Sequence, residues 1–249
     1  MFEPIEKKSL SQAVFEQLRT RIVSGAFSPG EPLPGERRLA DILGVNRGAV
    51  REALKRLEQA RLVSIQHGGS TTVLNYLKTA GMDLLAQLVL KPDGGLDLDA
   101  VRSLMELRSA IGPDIARRCA TRWTDDLHTR LTTTAQAMQN AHLKELQALN
   151  MTLWGLIVSG ADNVAYQLAF NSISHAWGNI NDAMRPIMRA EISDVASHLA
   201  LAEAIGARDP ARAEAIARDL VTRSEHNVRG AIDTLQSKDT PQLALWSDS

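Results

Sequence analysis

The feature that most restricts this chain is a pair of short amphipathic stretches, residues 35–43 and 47–59, separated by Gly44-Val45-Asn46. A glycine just past a helix end supplies the left-handed position without a Cβ penalty. An asparagine just ahead of a helix can cap its free N–H groups. The second stretch has two faces. At about 100° per residue, Val50, Ala53, Leu54 and Leu57 share one side, while Arg47, Gly48, Arg51 and Lys55 lie roughly 120° away. One face can pack, and the other presents guanidinium groups. Gly48 and Ala49 are small enough to let the helix start come close to another surface, where its N–H groups favour phosphate.

What flanks this pair narrows the reading. Residues 9–24 carry Leu10, Val14, Leu18, Ile22 and Val23 at helical spacing. A turn follows at Ser28-Pro29-Gly30. Beyond Arg61, the runs Leu62-Val63-Ser64-Ile65-Gln66 and Thr71-Thr72-Val73-Leu74 bracket His67-Gly68-Gly69-Ser70, which predicts a β-hairpin. The order helix, helix, turn, helix, hairpin is that of a winged helix-turn-helix. Arg47–Gln59 is its recognition helix, Arg37 is placed to clamp a phosphate, and His67, Gly68 and Gly69 form the wing tip. An arginine fork matches two acceptors of guanine in the major groove, and glycines at the tip allow a close approach to the minor groove. Charge agrees: residues 1–80 hold 12 Lys and Arg against 8 Asp and Glu, and the remainder holds 16 against 21.

After Leu77 the periodicity is helical throughout, with stretches near 79–91, 98–121, 125–140, 142–159, 163–184, 186–206 and 210–235. Asp97, Thr124, Pro186 and Asp209-Pro210 supply starts, and Pro113 should bend the helix that contains it. Short connections imply antiparallel neighbours in a bundle. The expectation is a mainly α chain: a winged helix-turn-helix over 1–76, an all-helical domain over 77–236, to which the family resemblance given below adds effector binding and regulation, and a loose tail over 237–249. A single cysteine, Cys119, rules out an internal disulfide, and the first residues contain no long apolar stretch. A reducing, cytoplasmic setting without membrane attachment is therefore expected. No Ser-His-Asp set, phosphate loop or paired-carboxylate motif is visible, so neither an enzyme nor a cofactor is expected.

The run LPGERRLADILGVNRGAVREALKRLEQARLVSIQHGG, residues 33–69, closely resembles the GntR family of transcriptional regulators. The helical remainder, with Arg108 in MELRSAIGPDIARRCA (105–120), resembles the C-terminal domain of the FadR subfamily. Ile65-Gln66-His67-Gly68 is similar to the wing of the fatty-acid regulator that gives the subfamily its name. The resemblance implies DNA contacts by Arg37, Arg47, Arg51, His67 and Gly68. Threonines of that regulator's recognition helix fall on Asn46, Gly48 and Ala49 here, so the operator need not be shared. A homodimer reading a palindrome is implied.

Most members of the subfamily hold a divalent metal through an Asp and a His four residues apart and two later histidines. Here those positions fall on Asn150, Trp154, His198 and near Leu220, with His226 the nearest later imidazole. One retained ligand does not make a site, so no metal is expected. His198 then reads as a pocket or core residue. Trp154 makes the cavity more apolar, in keeping with a fatty acyl-CoA or fatty acid as effector. A small carboxylate, such as a sugar acid or dicarboxylate, is the competing effector. Arg108 reads either as its partner or as half of an internal salt bridge. A helical interaction module without DNA binding is the alternative of another class.

Overall fold

The computed structural model describes residues 9–66, 70–91, 95–122 and 124–239. The chain divides into two compact units, the first ending at Gly95 and the second starting at Leu96. In the first, α1 (Leu10–Val23) starts at Ser9, whose hydroxyl accepts from the Gln12 N–H. Helix α2 (Glu36–Leu43) ends at Gly44, which takes the left-handed conformation at φ 66°. Helix α3 (Arg47–Gln59) starts at Asn46, whose side-chain oxygen accepts from the Ala49 N–H at 2.8 Å. Strands β1 (Val63–Ile65) and β2 (Thr71–Val73) pair antiparallel, with Val63 opposite Val73. The segment around Pro32 lies along the free edge of β2: Leu33 donates to the Thr71 carbonyl, and Val73 to that of Glu31.

One core joins these elements. Val14, Phe15, Leu18 and Ile22 of α1 meet Leu39 of α2, Val50, Leu54 and Leu57 of α3, and Val63 and Val73 of the hairpin. Removing this apolar surface from water is what holds so small a unit together. The stretch after the hairpin, grouped above with the helical half, packs here instead. It forms two single-turn helices, α4 (Tyr76–Thr79) and α5 (Leu85–Leu88), and a 3₁₀ turn between them. Leu84 is buried in the core, and Tyr76, Ala80 and Leu88 pack against it.

The second unit is all-helical: α6 (Leu98–Arg122), α7 (Asp125–Ala137), α8 (Leu143–Gly160), α9 (Val164–Ile192), α10 (Val195–Gly206) and α11 (Pro210–Asp239). Helix α6 packs along α11, and α8 lies against α6, α7 and α9. Gly112 permits the close approach, because a Cβ there would come within 3.3 Å of Val221 on α11 and 3.6 Å of Trp154 on α8. Helix α9 runs through Pro186, where a new helix was expected to start. The interruption comes at Asp194 instead, whose carboxylate accepts from the Ser197 N–H and caps α10. Proline forfeits one hydrogen bond, whereas the cap redirects the chain. Helix α11 includes residues 237–239, counted above as tail. No helix among the described residues is long and apolar enough to cross a membrane.

Candidate DNA-binding face and effector cavity

Helix α3 buries Val50, Ala53, Leu54 and Leu57, each at most 2% exposed, and turns Arg47, Gly48, Arg51 and Lys55 outward. The split follows the helical period. Arg37, one residue into α2, is exposed as well. Two expected contact residues are engaged within the head. The Asn46 side chain is occupied as the α3 cap, and Ala49 is buried, its N–H held by that cap. These two position the helix start and leave Gly48 as its exposed small residue. His67, Gly68 and Gly69 lie outside the described residues.

Glu36 is the member of this face that sequence reading passed over. Its carboxylate accepts from Arg51 Nε at 3.2 and 3.3 Å and from Nη2 at 3.0 Å. That hydrogen-bonded pairing with Arg51, with Arg47 and Lys55 nearby, holds the Glu36 carboxyl below its usual range.

In the helical unit a cavity of about 50 Å³ lies between α6, α8 and α9. Its walls are chiefly apolar, with Ile115, Met151, Phe170, Trp177 and Ile192 beside Trp154. The expected effector residues Arg108, Asn150 and Trp154 line it. His198 does not; it stands behind Asn150, fully buried. Its Nδ1 lies 2.7 Å from the Asp194 carbonyl oxygen, and its Nε2 lies 3.0 Å from Asn150 Oδ1. Burial pushes the His198 pKa down, so the ring is neutral at pH 7. Both ring nitrogens face oxygen acceptors, and a neutral ring has one N–H to give, so it donates to the Asp194 carbonyl or to the Asn150 amide oxygen and not to both at once.

Arg108 is half of an internal salt bridge. Its Nη1 donates to Glu191 Oε2 at 2.8 Å, and its Nη2 donates to Oε1. Burial alone would raise the Glu191 carboxyl, but the facing guanidinium and Ser224 hold it below the usual range. The guanidinium also sits 5.6 Å from the centre of the Trp154 ring. Gln147, the other polar group of the wall, accepts from Arg185 Nε at 2.7 Å.

The subfamily's metal does not fit these residues. Asn150 is a neutral amide whose oxygen faces His198 Nε2, and Trp154 offers no lone pair. Leu220 is buried hydrocarbon, and His226 is exposed on α11. Among the described residues no three His, Cys, Asp or Glu side chains gather into a metal-binding group.

Comparison with known proteins decides the family. The model for bacterial regulatory proteins of the gntR family matches residues 10–73, and the FCD domain model matches residues 103–223. HTH-type transcriptional regulator Mce2R of Mycobacterium tuberculosis is 36% identical over 220 residues, which cover 88% of this chain and 91% of that protein. The chain belongs to the GntR family. A fatty acid metabolism regulator protein of Yersinia enterocolitica is 30% identical over 178 residues, 70% of this chain and 72% of that protein. A solved structure of Lar, which controls the expression of the Listeria monocytogenes agr system, covers 91% of this chain and 99% of its own. Its TM-score is 0.57 at 15% identity, a likeness of fold. This GntR-family protein is thus a DNA-binding transcriptional regulator with an FCD effector-binding domain, not an enzyme.

Proposed function

We propose that this GntR-family regulator reads a palindromic operator as a homodimer through Arg37, Arg47, Gly48 and Arg51, with the His67–Gly69 segment as its wing. The observation that carries the reading is α3 itself: one face locked into the core, the opposite face exposed and cationic. A salt-dependent shift of duplex DNA from the protein's own upstream region is the direct test. Absence of any shift would favour a helical interaction module instead.

The effector is an apolar acyl compound, a fatty acyl-CoA or fatty acid, held in the α6–α8–α9 cavity. Its lining supports this, and so does the pairing of Arg108 with Glu191, which leaves that guanidinium no excess charge for a small dicarboxylate. The named role of the relatives in fatty acid metabolism points the same way. The void has room for only a few water molecules, so a long chain must part the Phe170, Ile173 and Trp177 wall of α9. Occupancy then alters operator affinity, by the fivefold to about 150-fold typical of such coupling. Isothermal titration with long-chain acyl-CoA, fatty acids and sugar acids tests the assignment: heat with the acyl compounds supports it, and heat with sugar acids alone overturns it.

A further inference from the structure

A carboxylate in the midst of the cations of α3 is out of place if that face only attracts phosphate. Glu36 opens α2 and reaches Arg51 across the turn, with Arg47 and Lys55 close enough to act on it electrostatically. A negative charge there repels the DNA backbone and weakens sequence-independent binding. The geometry gives Glu36 a different task. It engages the guanidinium side-on, through the Nε–H and one Nη2–H. Arginine has five N–H donors in a rigid fork. The two on Nη1 and the outer one on Nη2 remain, and one from each nitrogen makes the end-on pair whose spacing matches O6 and N7 of guanine.

We propose that Glu36 is a specificity-determining residue: it holds Arg51 side-on so that the free end of the fork meets a base rather than a phosphate. This rests on the proposed DNA face. The pairing acts in two ways. It restricts a long side chain that is otherwise 59% exposed and free to sweep. It also balances the charge of Arg51, so that this arginine gains little from the backbone and is repaid only when two base acceptors are aligned. Glu36 touches no base in this arrangement and works through Arg51.

The test uses the full chain and a duplex selected by the wild-type protein from a random pool. Single base-pair changes in that duplex, read against wild type and Arg51→Ala, identify the pair that Arg51 recognises. Glu36→Gln keeps the size of the side chain and removes the charge. The expected result is a fivefold to tenfold loss of preference at that base pair alone. Binding to a scrambled duplex should tighten by twofold to fivefold, with a salt slope steeper by about 0.9, the value of one more neutralised phosphate. Wild-type preference and slope in Glu36→Gln would overturn the inference. So would equal weakening at every base pair, the signature of a merely structural role. If Arg51→Ala keeps wild-type preference everywhere, the DNA face itself is misassigned, and the inference falls with it.

Discussion

In the head, Arg51 keeps 59% of its side chain exposed opposite a Glu36 at 32%; in the helical unit, Arg108 keeps 15% opposite a Glu191 at 1%. The two pairs use the same chemical partners and do different work. The exposed pair is screened by water and can add or exchange an acceptor at small cost. The buried pair has lost hydration on both sides, so that removing either member strands a charge. The head therefore holds its arginines ready for a partner that is elsewhere, and the helical unit closes its arginine on a partner that it carries itself. Solvent around the pair, not residue type, separates a binding face from a structural bridge.

The contrast is most exposed to test at Glu191. Glu191→Ala should cost about 3–5 kcal/mol and lower the thermal midpoint by on the order of 10 °C, read by calorimetry. Replacing both partners, as Arg108→Met with Glu191→Leu, should recover most of that loss. A single mutant that melts like wild type would erase the distinction between the two pairs. On the DNA side, Arg47→Ala and Arg51→Ala should each weaken operator binding by about tenfold to a hundredfold, read by fluorescence anisotropy, with the melting temperature unchanged. A fall in both quantities would mean that the exposed face is structural after all.

Acid sharpens the comparison at a third point. His198 is buried next to Asn150, with Glu191, Asp194 and Arg108 acting on it, and burial sets its folded pKa below the ordinary 6.5 of an imidazole. The unfolded chain therefore takes up a proton before the folded one does. Its contribution is fully present above about pH 6.5 and is lost as pH falls through the folded value. The slope is at most about 1.4 kcal/mol per pH unit for one proton. His198→Gln should remove that slope below pH 6.5, as followed by denaturant titration; an unaltered slope would assign the acid sensitivity to other groups. Smallest of all is the effect expected at Cys119, whose thiol burial pushes up to about 12. A thiol reagent at pH 8 should leave the folded protein unmodified and react fully once it is unfolded.

Much of the head was legible in the sequence because its information is local. The helical period separates Val50, Ala53, Leu54 and Leu57 from Arg47 and Arg51, and Gly44 and Asn46 mark the turn. What sequence spacing does not show is which distant side chain answers a given charge. Arg108 and Glu191 meet because α6 and α9 share the cavity wall, and Asn150 meets His198 only after α10 has packed. No periodicity encodes either meeting. Glu36 escaped notice for a related reason: an acidic residue at a helix start already has an adequate explanation in the helix dipole, and only the fold brings it to Arg51. Pro186 misled because a proline signals a helix start more often than a helix interior, and the surrounding packing carries α9 across it.

The Asn150–His198 contact has a consequence for the life of the regulator in a cell. A sensor that coordinates a transition ion shares its fate with the supply of that ion: starvation empties it, and excess or a competing ion misloads it. Here an amide oxygen and a buried imidazole face one another at 3.0 Å, and nothing has to be imported. The sensing half should then fold and respond alike in chelator and in metal-rich medium, reporting on its effector alone and not on the mineral state of its surroundings.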